Sequence, residues 1–248
     1  MSLADAKLPV SGGVEKRAYV RRMFHDIAPT YDTLNRIISL RLDLRWRRRA
    51  LRFLGWERAP RGRYLDLCAG TLDFGATLAR QPGFGGSIVG ADFVPRMLAL
   101  GRHKAAALEP VTADALALPF ADATFDGAVI GWGARNFADL DAGLREVWRV
   151  LRPGARLVVL DMSTPPNPAV RAGFRLYFER VLPWVGRLVS KHTTAYLWLP
   201  ASTRVFPDAP ALAARLRDAG FTAVEFERLL LGATAIHAGT KPASGGTS

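Results

Sequence analysis

The sequence predicts an α/β fold, a mostly parallel sheet with helices on both faces, and three observations carry that prediction. From Tyr64 onward short β-rich runs alternate with helical ones: YLDLC, a helix through Thr77, SIVGAD, a helix through Met97 and Leu100, PVTADA, FDGAVIG, a helix over 139–151, then ARLVVLD. That alternation reads as a sheet buried beneath helices. The first of these strands runs through Asp66 into a glycine-containing turn at Gly70, where the backbone has to approach a ligand closely. The 248 residues, 49% apolar and 23% charged, are those of an ordinary globular protein, so one domain is expected.

Taken in order, residues 1–15 lack periodicity and are expected to be a flexible N-terminus. A helical region is expected over 16–60, with Leu42, Trp46, Ala50 and Phe53 on one face of a helix and Arg41, Arg45, Arg48 and Arg52 on another. A ligand-binding core over 61–165 follows, in which Arg152, Pro153 and Gly154 form a turn that stops the preceding helix. An apolar, aromatic insert within 166–200 (Phe174, Tyr177, Phe178, Trp184, Tyr196, Trp198) is placed to act as a lid, and is as compatible with plain core as with a channel. A helix over 209–219 and strands at 222–227 and 232–239 complete 201–240, and 241–248 reads as a flexible polar tail.

Composition narrows the classes. No stretch approaches the roughly 18 uninterrupted apolar residues of a membrane-spanning helix, and the N-terminus lacks the pattern of a secretion signal. One cysteine, Cys68, and four histidines offer few ligands for a metal. The default is a cytoplasmic, metal-free protein. Charge is more specific: residues 16–63 hold 14 basic and four acidic side chains, a net of +10 out of +12 for the whole chain. That asymmetry points to an anionic surface, nucleic acid or membrane. No nucleic-acid recognition module is discernible, which favours peripheral contact with the inner face of an anionic membrane.

The segment Leu65-Asp66-Leu67-Cys68-Ala69-Gly70-Thr71-Leu72-Asp73 fails as a dinucleotide fingerprint, because G-x-G-x-x-G is absent. An acid ends the strand instead, and a second acid, Asp92, closes the next strand, where it can accept two charge-assisted hydrogen bonds from a ribose diol. Acids in these places suit a ligand with a cationic amine and sulfonium better than a pyrophosphate.

The stretches MFHDIAPTYDTLNRIISL, LDLCAGTLD, ADFVPRML, DALALPFADATFD, GWGARNFAD, REVWRVLRPGA, YLWLPASTRVFP, LRDAGF and ATAIHAGTK, in that order across 23–241, resemble the UbiE/MenG family of quinone C-methyltransferases, within the class I S-adenosylmethionine-dependent methyltransferases. The resemblance implies a Rossmann-like, mostly parallel seven-stranded sheet, with S-adenosyl-L-methionine as cofactor. Asp66, Gly70 and Thr71 would lie at the cofactor in the first loop. Asp92 would hold the ribose hydroxyls, Asp114 and Ala115 would face the adenine, and Gly131 would line the site. Glycine at 131 is more similar to the menaquinone branch than to the ubiquinone branch, where serine is usual.

Arg135 and Asn136, in the GARN run past the fourth strand, are the implied catalytic residues at the quinol, with Tyr31 opposite. Alternatives to this are an arginine paired with a lid carboxylate and an asparagine capping a turn. Ionising a hydroquinol hydroxyl near neutral pH costs roughly 4 kcal/mol, and a buried guanidinium beside the oxygen offsets much of it. His25 and His192 read as solvated or locally bonded, His237 as structural at least as readily as catalytic, and Cys68 as a small core side chain. The family's loop reads G-G-T-G-D, so Leu72 stands in place of a glycine. A positive φ there would be strained, and Leu72→Gly is expected to tighten cofactor binding or leave it unchanged.

The expected activity is methylation of demethylmenaquinol to menaquinol. A benzoquinol step of ubiquinone biosynthesis and a non-catalytic prenyl-quinone-binding subunit stay open, as does a homodimer.

Overall fold

The computed structural model describes residues 8–39, 41–177, 180 and 193–243. Seven strands, β1 (Arg63–Leu67), β2 (Ser87–Asp92), β3 (Leu108–Thr112), β4 (Phe125–Gly131), β5 (Leu151–Met162), β6 (Thr222–Leu229) and β7 (Thr234–Thr240), form one sheet in the order β3-β2-β1-β4-β5-β7-β6. Strands β1 to β5 pair in parallel, and β7 runs antiparallel to both of its neighbours. Strand order leaves β1 in both directions, so a crevice opens at the carboxyl ends of β1 and β4, where ligands bind in open α/β sheets.

Helices α1 (Gly13–Ile27), α2 (Tyr31–Ile38) and α3 (Leu42–Leu54) precede the sheet. α4 (Asp73–Ala79), α5 (Pro95–Gly101) and α6 (Leu140–Val150) connect the parallel strands, and α7 (Pro168–Leu176), α8 (Thr193–Val205) and α9 (Ala209–Asp218) lie between β5 and β6. Local chemistry sets several starts. The side chains of Asp139, Asn167 and Asp208 accept from backbone N–H groups in the first turns of α6, α7 and α9, and Pro168 and Pro210 sit where an N–H has no helical partner anyway.

Leu65 and Leu67 on β1 pack on one side of the sheet with Leu144 and Val147 of α6 and Leu212 and Leu216 of α9. Tyr64 packs on the other with Ala50, Leu51 and Leu54 of α3 and Phe74 and Leu78 of α4. Alternate residues of one strand thus serve two cores, which is why these strands read as continuous apolar runs.

Three expectations change in detail. The third strand ends at Thr112, so Ala113 to Ala115 belong to the loop beyond it. Arg152, Pro153 and Gly154 do not form a free turn: β5 begins at Leu151, its register against β4 slips between Phe125 and Gly127, and Gly154, at φ 82°, donates to Lys241 O. The excess residues on β5 form a bulge, which tolerates a proline and a left-handed glycine. On α3 the buried side is Arg47, Ala50, Leu51 and Leu54, while Leu42 and Phe53 are half-buried; Arg41, Arg45, Arg48 and Arg52 are exposed as expected.

Candidate active site

The turn after β1 departs sharply from ordinary backbone. Cys68, Gly70 and Leu72 all have positive φ (55°, 53° and 63°), and only one of them is glycine. Left-handed geometry at a branched side chain costs on the order of 1–2 kcal/mol, so packing has to hold it. At Leu72 that packing is direct: the side chain is fully buried, pointing away from the crevice onto β2, and its Cδ2 occupies the space a Cβ at Gly90 would need, 2.0 Å away. The positive φ expected at Leu72 is present. The side chain does not crowd the ligand, because glycine at 90 gives it a seat in the core.

Above this turn lies a narrow cleft. At one end it is walled by Gly70, Gly131, Trp132 and Tyr31, at the other by Ala91, Ala113, Asp114, Ala115 and Leu116, with Cys68, Asp92, Phe93 and Asn136 common to both. Asp92 Oδ2 accepts from Gly70 N (2.9 Å) and its Oδ1 from Val94 N (2.9 Å), so the carboxylate joins the first loop to the second strand. Burial raises its pKa from 3.8 to about 6, against the pull of the N–H groups of Gly70, Val94 and Phe93. Asp114 Oδ1 accepts from Leu116 N, and its Oδ2 meets Arg17 of α1 at 2.6 Å, which closes the far end.

Of the residues placed at the cofactor from sequence, Gly70, Asp92, Asp114, Ala115 and Gly131 line this cleft. Asp66 and Thr71 are not in its walls. Asp66 lies on the α4 side of β1, where its Oδ2 accepts from Gly75 N at 2.8 Å; burial raises its pKa to about 7. Adjacent residues of a strand face opposite ways, so Asp66, between Leu65 and Leu67 on the α6 side of the sheet, is turned beneath α4. The Thr71 hydroxyl donates to Asp32 Oδ1, and Asp32 Oδ2 accepts from Lys104 Nζ (2.8 Å), which also meets Asp73. These two residues shape the loop from behind.

A second, largely apolar cavity adjoins the first and shares Phe24, Tyr31 and Trp132 with it. Its roof includes Phe174 and Tyr177 of the α7 region and Leu199 of α8, which makes that insert the wall of a cavity, while Trp198 is core against Val20 and Met23. Phe178, Trp184 and His192 lie outside the described residues, as does the side chain of Tyr196. Arg135 lines this second cavity from the turn after β4. Its Nη1 donates to Asp161 Oδ1 (2.7 Å) and to Trp132 O (2.5 Å), and its Nε is buried with no protein partner. The pairing carboxylate therefore comes from the end of β5, not from the lid. Asn136 does not cap the following helix; its Oδ1 accepts from Trp198 Nε1 at 2.9 Å, tying α8 to the floor of the site. Tyr31 stands between the two cavities, its pKa raised by burial and lowered in part by a hydrogen bond with Asn35.

His237 is structural: one ring nitrogen is 2.9 Å from Ala209 O, and burial lowers its pKa. His25 is exposed beside Asp26, and Cys68 is partly buried with its thiol pKa pushed up by burial. Sequence reasoning missed Asp161, although it closes a strand as Asp92 does, and also Asp32, Asp43 and Arg47, which helical periodicity alone does not separate from solvated charges.

A sheet of this order, with an acid-lined cleft at its switch point and an enclosed cavity beside it, is that of a class I S-adenosylmethionine-dependent methyltransferase. The chain belongs to the ubiE/COQ5 methyltransferase family, whose model matches residues 13–241. It is 49% identical over 224 residues to a demethylmenaquinone methyltransferase of Thermus thermophilus, covering 89% of this chain and all of that one. It is 44% identical over 243 residues to one of Deinococcus radiodurans, covering 96% and 99% of the two chains. A ubiquinone/menaquinone biosynthesis C-methyltransferase of Geobacter sulfurreducens is 40% identical over 243 residues, at 96% and 94% coverage. Among solved structures, a SAM-dependent methyltransferase of Thermotoga maritima matches with a TM-score of 0.64 at 20% identity, over 89% of this chain and 99% of that one, which is a likeness of fold.

Proposed function

We propose that this chain methylates a ring carbon of demethylmenaquinol, giving menaquinol. The observation that carries the reading is Arg135: a guanidinium locked by Asp161 and Trp132 O at the wall of an apolar cavity that adjoins the acid-lined cleft. The relatives' names give the substrate class.

The donor set of the cleft fits S-adenosylmethionine. Asp92 would offer its remaining lone pairs to a ribose diol, Asp114 and the backbone at Ala115 and Leu116 would hold an adenine, and bare backbone at Gly70 and Gly131 would admit the methionine end. That cofactor supplies an electrophilic methyl group on a sulfonium. What the protein has to make is the nucleophile. A ring hydroxyl has a pKa near 10 in water, and Arg135, its side chain only 10% exposed, stabilises the phenolate that develops as the ring carbon attacks. Asp161 keeps the guanidinium oriented, and Tyr31 and Trp132, which line both spaces, mark the junction between ring and cleft. In the test, single-turnover methylation by Arg135→Lys, which keeps a charge and loses the planar fork, slows tenfold or more with the melting temperature little changed. A normal rate removes Arg135 from the chemistry.

Gly131 favours the naphthoquinol over the benzoquinol branch. A Cβ there would stand 2.7 Å from Phe74 Cδ2, so the serine of the other branch would require that ring to move. Peripheral membrane contact belongs to the same reading. Among the described residues no helix is long and apolar enough to cross a bilayer, yet Leu231 is 72% exposed beside Leu230, which lines the substrate cavity, and the outer face of α3 carries exposed arginines. A prenyl tail that stays in the membrane can reach the cavity past such a rim.

A further inference from the structure

The substrate cavity has a second charged wall that the methylation chemistry leaves unused. Asp43, in the first turn of α3, is 3% exposed and is the only carboxylate among the described residues that line the cavity. Its Oδ2 accepts from Arg47 Nη1 at 2.6 Å and its Oδ1 from the Ser39 hydroxyl at 2.8 Å. Each oxygen keeps a further lone pair, so towards a ligand this group only accepts. Trp132 links it to Arg135: the Arg47 guanidinium lies 5.1 Å from the centre of the Trp132 ring, while Arg135 donates to the Trp132 carbonyl. The cavity therefore pairs an acceptor-only group on α3 with a donor-only group on the turn after β4.

We infer that Asp43 makes the cavity selective for the reduced ring, accepting a hydrogen bond from one hydroxyl of the quinol while the other faces Arg135. The inference rests on the reading of this cavity as the quinol site. A quinol carries a hydroxyl at each end and satisfies both walls. A quinone carries two carbonyls, has no hydrogen to offer Asp43, and sets lone pairs against a buried carboxylate. Asp43 keeps its bonds to Arg47 and Ser39 with either ligand, so the discrimination lies in a carbonyl oxygen set against its remaining lone pairs, which penalises the wrong ligand as well as rewarding the right one. Since only the reduced ring is nucleophilic, selection at Asp43 keeps the oxidised form from occupying the site.

The test is anaerobic calorimetry with a short-chain prenyl naphthoquinol and its oxidised quinone, each titrated into protein saturated with S-adenosylhomocysteine so that no turnover occurs. Wild-type protein is expected to prefer the quinol tenfold or more. Asp43→Asn, whose amide also donates, is expected to bring the two affinities within about twofold, weakening the quinol and tightening the quinone. A role confined to packing would move both affinities in the same direction. If Asp43→Asn does not fold because Arg47 keeps only its longer contact with Asp73, Asp43→Asn combined with Arg47→Gln removes both charges, and the same collapse of preference is expected. Equal wild-type affinities, or a preference that survives either variant, overturn this inference alone. Binding of neither ring form by the wild type overturns the quinol-site reading, and this inference with it.

Discussion

At Asp92 the physical conflict is between burial and three backbone hydrogen bonds, and burial prevails, with the carboxyl pKa raised from 3.8 to about 6. A raised folded-state value means the folded chain holds this proton more tightly than the unfolded one. The group therefore contributes stability below about pH 4 that is lost as the pH climbs through 6. A ribose diol prefers the ionised form, so cofactor affinity is expected to fall as the pH drops below about 6. Calorimetry should show this in the wild type and not in Asp92→Asn, whose affinity at neutral pH should be at least tenfold weaker. A variant with unchanged affinity removes Asp92 from the ribose.

Leu72 carries a different balance. Replacing it with glycine relieves about 1 kcal/mol of left-handed strain but empties a fully buried site above Gly90, at roughly 3 kcal/mol. The net loss of about 2 kcal/mol should lower the melting temperature by roughly 4–8 °C. The tighter cofactor binding expected from sequence does not follow, since the side chain points away from the cleft. A rise in melting temperature for Leu72→Gly would show that strain, not packing, dominates the turn.

Among the elements, α3 serves three surfaces at once. Ala50, Leu51 and Leu54 cover the sheet, Asp43, Trp46 and Arg47 line the substrate cavity, and Arg41, Arg45, Arg48 and Arg52 are exposed. A helix with one solvent face and two buried ones presents its positive charge in a fixed direction. Near an anionic bilayer each arginine contributes about 1 kcal/mol, screened beyond a Debye length of about 8 Å. Liposome sedimentation should therefore show binding that needs anionic lipid, weakens with salt, and falls when the four arginines become glutamine. Equal binding to neutral vesicles would shift the attachment to the exposed leucines at 230 and 231.

At the scale of the whole molecule, the sheet was legible because its strands are buried on both faces and its turns are marked by glycine and acids. β2 was readable to the residue, as SIVGAD. β3 was read three residues too far at its end, since Ala113 to Ala115 continue the apolar pattern but leave the ladder to line the cleft. Asp92 and Gly131, which close strands, and Arg135, in the turn just past β4, were named from sequence, whereas Asp161 near the end of β5 was not. The site was not legible where tertiary partners decide which way a side chain turns. Asp66 and Thr71 sit in the same motif as Gly70, yet Gly75 N and Asp32 hold them outside the cleft walls. Asp43 and Arg47 entered the sequence reading only as charges of the basic segment 16–63 and are buried, held against Ser39 and the Trp132 ring.

The two cavities meet at Tyr31 and Trp132, and the proposed methyl transfer to a naphthoquinol takes place across that junction. The most direct measurement is a competition under anaerobic conditions. Purified protein receives methyl-labelled S-adenosylmethionine with equal amounts of demethylmenaquinol and a demethylated prenyl benzoquinol, and the products are separated by mass. The account predicts label on the naphthoquinol ring carbon in clear excess. Label on the benzoquinol alone, or on neither acceptor while the cofactor binds normally, would contradict it.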